Sequence, residues 1–405
     1  MEYLTSSHRA QWVLSAAALA ERRLRCLDEA RETALEALQI ERRLQAEAGK
    51  RAGEALPEIL SGEEEATLVR QFQVRLREMA EKMGLPRQVV MVALLFFKRF
   101  YVLHSTLDHQ PGYIVAACLM SAIKSEECTM FQGSKTPFSV SRFLDSINGP
   151  PAPGHQPQRK RLISADELVR QEAVLMDGLG FTLMAYTPLH ALEGALRHCK
   201  HALRLTEVQL RAVRDNATAC CQAAMLTDAP LLLHVGELAL LSVKRALGAA
   251  DLVHRVPQYL AEVAMQASEA QRARREDLDR MWATSGPFVT SRAPAGSAGG
   301  VREESCDVHN HVFGVADGVA GEGEDLEGRL DFGEAVLEEG MNALERDKAI
   351  NMRALIDKLN SCRNPGTNPA SLLFKQRRQQ EKDEKSLVKR KKRKAGADAG
   401  LGDDE

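Results

Sequence analysis

The sequence predicts an all-α protein built as two tandem five-helix bundles with flanking N- and C-terminal helices. Three observations lead there. Aromatic residues make up only 5% of the 405 and prolines number 15, while Ala, Leu, Glu and Arg abound, the usage of a chain built from helices. Capping-box pairs, Ser61 with Glu64, Ser164 with Glu167 and Thr206 with Gln209, mark helix starts. Two stretches, 113–123 and 235–247, are apolar nearly all round. A helix of that kind belongs at the centre of a bundle. The two lie roughly 120 residues apart at the same place in the order of elements, so the layout reads as a duplicated unit.

Residues 8–50 lack proline and are rich in Ala, Leu, Arg and Glu, which predicts one long, largely exposed helix. After "EALPEILSG", the Ser61 box opens a helix striped by Phe72, Leu76, Met79 and Met83. "GLP" ends it, and Pro86 suits the first position of the next helix, which runs to about His104. "LDHQP" turns the chain into the first apolar helix at Pro111, and a fourth helix is expected near 138–147. "NGPPAPGHQPQRKR" reads as an exposed insertion, and the fifth helix carries Leu168, Leu175 and Leu179 on one face. The second set begins at Pro188. From 286 to 330 there are nine glycines and little apolar pattern, read as a flexible linker. A charged helix is expected over 332–361, stopped by "NPGTNP". The expected divisions are thus 1–60 as an N-terminal helical extension, 61–185 and 186–285 as the bundles, 286–330 as linker, 331–363 as C-terminal helix and 364–405 as a disordered basic and acidic tail.

The formal net charge of −2 hides an asymmetry. Residues 375–394 hold eleven basic and three acidic residues, a local +8, residues 395–405 carry −4, and the remainder sums to −6. An acidic body makes a poor nucleic-acid binder by charge alone, and no direct nucleic-acid contact is expected. The eight cysteines contain no CxxC pair, so neither a metal site nor a disulfide framework is predicted, and free thiols suit a reducing compartment. The longest apolar run is about half of what a bilayer needs. "WVLSAAALA" looks like a short signal core, but Glu2 precedes it and a charged helical pattern follows. A soluble, intracellular chain without membrane contact is expected.

Two charges stand out. Lys124 follows the apolar stretch 113–123, and Glu172 falls on the apolar stripe of the fifth helix, four residues after Leu168 and three before Leu175. A half-buried charge is costly unless paired. By spacing alone, Lys124 could simply favour a helix C-terminus and Glu172 could snorkel at the bundle edge. Phe96, Phe97, Phe100 and Tyr101 could fill a core or present an aromatic surface, with Lys98 and Arg99 solvated.

"FFKRFY" followed by "IVAACLMSAIKSEE" resembles the box of the cyclin family. "YLTSSHRAQW", "LPRQVVMVALLFFKRFY", "VLMDGLGFTLMAYTP", "LTDAPLLL" and "LIDKLNSCRN" are similar, in the same order, to the cyclin that serves as regulatory subunit of the CDK-activating kinase. The resemblance covers most of 1–285 and resumes near 350. It implies two tandem cyclin-like five-helix bundles and a non-enzymatic activator of a cyclin-dependent protein kinase of the CDK-activating type, joined by an assembly-factor subunit and acting in transcription through general transcription factor IIH and in the cell cycle. It places the family's kinase-contacting Lys and Glu on Lys124 and Glu172, and adds Phe97, Tyr101 and Glu127 as kinase-binding candidates. No cofactor or metal is implied. Other readings are a transcriptional cyclin of the C, K or T type, or a DNA-binding protein like transcription factor IIB, which would want a zinc ribbon and a basic groove.

The block Lys389, Arg390, Lys391, Lys392, Arg393 and Lys394 fits a nuclear import signal better than nucleic-acid contact, so a nuclear protein is expected. "DFG" at 331–333 lacks every other kinase element. "CDVHNH" at 306–311 offers ligands without a second cluster.

Overall fold

The computed structural model describes residues 3, 6–49, 56–128, 139–148, 163–265, 276 and 326–398, with side chains on the last helix described through 384 and at 386. The helices are α1 Ser7–Trp12, α2 Ala16–Glu47, α3 Gly62–Lys82, α4 Arg87–Leu103, α5 Pro111–Ser125, α6 Val140–Asn148 and α7 Ala165–Gly178. They continue as α8 Leu189–Ala202, α9 Glu207–Ala224, α10 Ala229–Leu232, α11 Val235–Ala249 and α12 over 256–265. The series closes with α13 Leu326–Asp347, α14 Met352–Cys362 and α15 Leu372–Asp398. No strand occurs among the described residues, and the all-α, two-bundle expectation holds. No described helix is long and apolar enough to cross a membrane. The insertion within 149–162, the glycine-rich stretch to 325 and "CDVHNH" lie outside the described residues.

The chain divides into two compact units. The first-half unit comprises 16–183 with 344–405, and its bundle is α3 to α7. Ser61 caps α3 through a full box, its hydroxyl taking the Glu64 N–H while the Glu64 carboxylate takes the Ser61 N–H at 2.7 Å. The α4 helix is deeply buried, with every residue from Val89 to Val102 inside, and it packs on α2, α3, α5 and α7. The α5 helix is buried from Ile114 to Ile123. Lys98 and Arg99 depart from expectation, being 2% and 0% exposed. The Lys98 ammonium donates to Gln73 Oε1 at 2.6 Å, so this charge is sunk because a partner waits inside.

The segment expected as tail is also anchored at its start. Asn364 donates from its backbone to Leu107 O and from its amide to Asp108 Oδ1 at 2.7 Å, and Leu373 is 5% exposed. The expected helix over 332–361 is broken. Its first part ends at Asp347, whose buried carboxylate takes both the Nε and Nη2 of Arg70. Asn351 then caps α14.

The second-half unit comprises 1–15 with 184–343. The predicted helix over 8–50 is interrupted at 13–15, where Leu14 N–H donates to Leu231 O, and the piece before the break belongs to this unit. Thr206 and Gln209 form the predicted box on α9. The α11 helix packs on α8 and α9 with Leu238, Leu241, Val243 and Leu247 buried.

Candidate functional site

The C-terminal end of α5 comes to the surface as a short closing turn. Glu126 N–H returns to Ala122 O, Glu127 N–H to Lys124 O and Cys128 N–H to Ile123 O. Glu127 closes it in the left-handed region at φ 48°, a conformation that a non-glycine residue adopts at a cost of about 1 kcal/mol. The turn leaves Lys124 on the last helical turn, where the carbonyl ends of the helix favour a cation. From the other side, the Ser164 hydroxyl caps α7 by accepting the Glu167 N–H, and α7 packs along α5. Leu168 and Leu175 are buried, which turns Glu172 toward α5.

The two charges meet. Lys124 Nζ lies 2.6 Å from Glu172 Oε1 and 2.8 Å from Oε2, with side chains 53% and 16% exposed. An ammonium has three protons and a carboxylate four lone-pair directions, so the pair retains donor and acceptor capacity after binding each other. A pair on the end of one buried helix, steadied by a second, holds that capacity in a fixed direction. Val169, 63% exposed, stands one turn before Glu172 on α7. Sequence reading passed over it because it sits one place off the Leu168 stripe, and exposure cannot be read from hydrophobicity.

Two sequence candidates are corrected. Phe97 is 0% exposed and Tyr101 6%, their rings 4.9 Å apart, and the Tyr101 hydroxyl donates to His109 O at 2.8 Å. With α4 buried on all sides, both are core residues and offer no face to a partner. Glu127 is exposed beside Lys124. Lys389 to Lys394 lie on the helical backbone of α15, their side chains outside the described residues.

At the C-terminal end of α7, Gly178 is tightly fitted against Phe100 and His104 of the α4 end. A Cβ at Gly178 would stand 2.6 Å from Phe100 Cε2 and 2.7 Å from His104 Nε2. Burial lowers the pKa of His104, and burial with the charges of His104 and Arg363 lowers that of His109 to about 4. Burial pushes the Cys199 thiol to about 11 and Cys221 to about 12, which makes them poor nucleophiles. Among the described residues no cluster of His, Cys, Asp or Glu could hold a metal ion. The "DFG" triplet lies inside α13, where Asp331 pairs with Lys244 at 2.8 Å, so it is no catalytic loop.

Two helical bundles in tandem, each around a buried helix, with an ion pair at the end of the first, define a protein of cyclin fold. A chain of the CAK complex from Chaetomium thermophilum bound to ATP-gamma-S shares this fold, with a TM-score of 0.60 over 94% of each chain at 19% identity. Cyclin-H1-1 of Arabidopsis thaliana is 28% identical over 283 residues, 65% of this chain and 76% of the relative. Cyclin-H of Xenopus laevis is 28% identical over 51% of this chain and 60% of its own length, and Cyclin mcs2 of Schizosaccharomyces pombe 24% identical over 51% and 58%. The chain thus spans less than two thirds of the latter two. No protein-family model matches. The resemblance to cyclins drawn from the motifs is borne out, and it is toward cyclin-H.

Proposed function

We propose that the chain is a cyclin-H-type regulatory subunit that binds a cyclin-dependent protein kinase of the CDK-activating type, together with an assembly subunit, and activates it allosterically. The surface pair Lys124–Glu172 carries this reading. Its unspent donors and acceptors suit main-chain groups of a second protein, with Glu127 and Val169 at its border. The chain itself supplies no chemistry in this reading. A kinase must seat its C-helix Glu against its strand Lys before phosphoryl transfer, and a partner that binds the assembled state more tightly shifts that equilibrium. Moving a kinase from about 1% to about 99% assembled takes on the order of 5.5 kcal/mol of differential binding. The basic block 389–394 is read as an import signal for a nuclear protein acting in transcription.

The test is purification of the tagged chain from its own cells, identification of the kinase that accompanies it, and reconstitution. Lys124→Ala and Glu172→Ala should remain folded and fail to raise the kinase's activity on an RNA polymerase II tail peptide. Full activation by both variants would remove the assignment. For the import reading, a fluorescent fusion lacking 389–405 should shift to the cytoplasm.

A further inference from the structure

The last helix carries charge in an order that an import signal does not need. On α15 the spacing of Lys375, Arg378, Lys382, Lys385, Lys389 and Lys392 alternates three and four residues. At 100° per residue these positions, together with Arg393 in line with Lys375, fall within an arc of about 100°, a single row about 27 Å long. Asp383 and Glu384 fall off the row and Glu381 borders it, while Gln379 holds Asp383 at 3.0 Å. A short basic cluster explains 389–394 alone; the row starts fourteen residues earlier.

The start of the helix is fixed to the first-half unit. The Glu41 carboxylate, 7% exposed on α2, accepts the Leu372 and Leu373 N–H groups at 3.0 and 2.8 Å, and Leu373 is buried. From Lys375 to Glu384 every residue is exposed. The helix is therefore presented from an anchored base.

We propose that α15 is a docking arm for duplex DNA, bound through its phosphates without preference for base sequence. Charge complementarity commits the surface to a polyanion, and the rest of the helix narrows the choice. Between 375 and 394 only Leu387 and Val388 are apolar, too little for the buried face of a membrane-surface helix or for a seam against a protein helix. Binding must then be almost wholly electrostatic, and the partner must offer charge at regular short intervals, as a phosphate backbone does. The acidic body is no obstacle, since the +8 is confined to this arm.

The test is fluorescence anisotropy of a labelled 30-base-pair DNA duplex of mixed sequence with the full chain, titrated between 50 and 300 mM KCl. Seven basic contacts predict a salt slope of about −6. The row variant R378Q/K382Q/K385Q/K389Q should bind at least about ten-fold more weakly at 100 mM KCl, with the slope reduced by about 3 to 4. The control R377Q/R390Q/K391Q/K394Q removes equal charge off the row and should lose less than about three-fold. Circular dichroism must show equal helicity in both. Absence of binding by the intact chain at 50 mM KCl would overturn the proposal, and so would equal loss in both variants. Displacement of the duplex by polyglutamate at matched charge would assign the arm to acidic polypeptide instead.

Discussion

Removing Lys124 should separate two energies that one ion pair contributes in different settings. With the Lys124 side chain 53% exposed, the bridge at 2.6 Å is a surface pair within the free chain, and its loss should cost folding only about 0.2 to 1 kcal/mol. At an interface the same loss leaves Glu172 and the kinase groups buried without a partner, which costs on the order of 2 to 5 kcal/mol. In affinity that is roughly thirty-fold to a few thousand-fold. Urea denaturation of the free chain gives the first quantity and calorimetric titration with the kinase the second. The charge-swapped variant Lys124→Glu with Glu172→Lys sharpens the comparison, since it restores the internal bridge but exchanges donor and acceptor toward the partner. It should fold like the parent and still fail to bind. A fall of more than about 2 kcal/mol in folding stability for Lys124→Ala, with kinase affinity unchanged, would make the bridge a structural strut and refute the reasoning.

Three further outcomes test the frame around the pair. Gly178→Ala would press a methyl to 2.6 Å from the buried Phe100 ring, and thermal melting should show a loss of about 1 to 3 kcal/mol; an unchanged midpoint would mean α7 can move freely here. His109, held neutral by burial down to about 4, favours folding above its ordinary 6.5, and that advantage is lost as pH falls from 6.5 toward 4 because the unfolded chain takes up the proton first. The loss approaches about 3 kcal/mol across that window, and denaturation midpoints of His109→Gln should depend less on pH. Asp347→Ala removes the carboxylate bound by Arg70 and Thr67 and should lower urea stability by about 3 kcal/mol, with Asp347→Asn losing less.

What the sequence revealed was what local spacing encodes. The boxes at Ser61 and Thr206, the two apolar helices and the stop at "NPGTNP" all depend on neighbours within a few residues, and each is in the structure. Lys124 and Glu172 could be paired only through the resemblance, because no spacing rule links residues 48 apart. The failures share a cause. Phe97 and Tyr101 were offered to a partner, and Lys98 and Arg99 to solvent, since periodicity on α4 alone cannot tell how many neighbours surround it. The residues after 363 were read as tail because their anchor, Glu41, lies 331 positions away from Leu372. The break at 13–15 likewise depends on Leu231, remote in sequence.

The two bundles treat the charges on their apolar helices differently, and the difference bears on function. In the second-half unit Lys244 on α11 is 16% exposed and is taken by Asp331 at 2.8 Å and Glu334 at 3.5 Å, both on α13. Burial lowers its pKa, yet those carboxylates outweigh burial and raise it. At the start of the same helix Glu237 is held by Arg329, also from α13, through two bonds at 3.0 and 2.9 Å. The chain's own α13 thus satisfies the charges of α11 inside the unit. Lys124, on the last turn of α5, has no such cover among the described residues: the bridge described for it is to α7, and half its side chain faces solvent. One apolar helix with its charges satisfied inside the unit, and another with its terminal cation half open to solvent, is what a chain needs if the open charge is reserved for a different molecule.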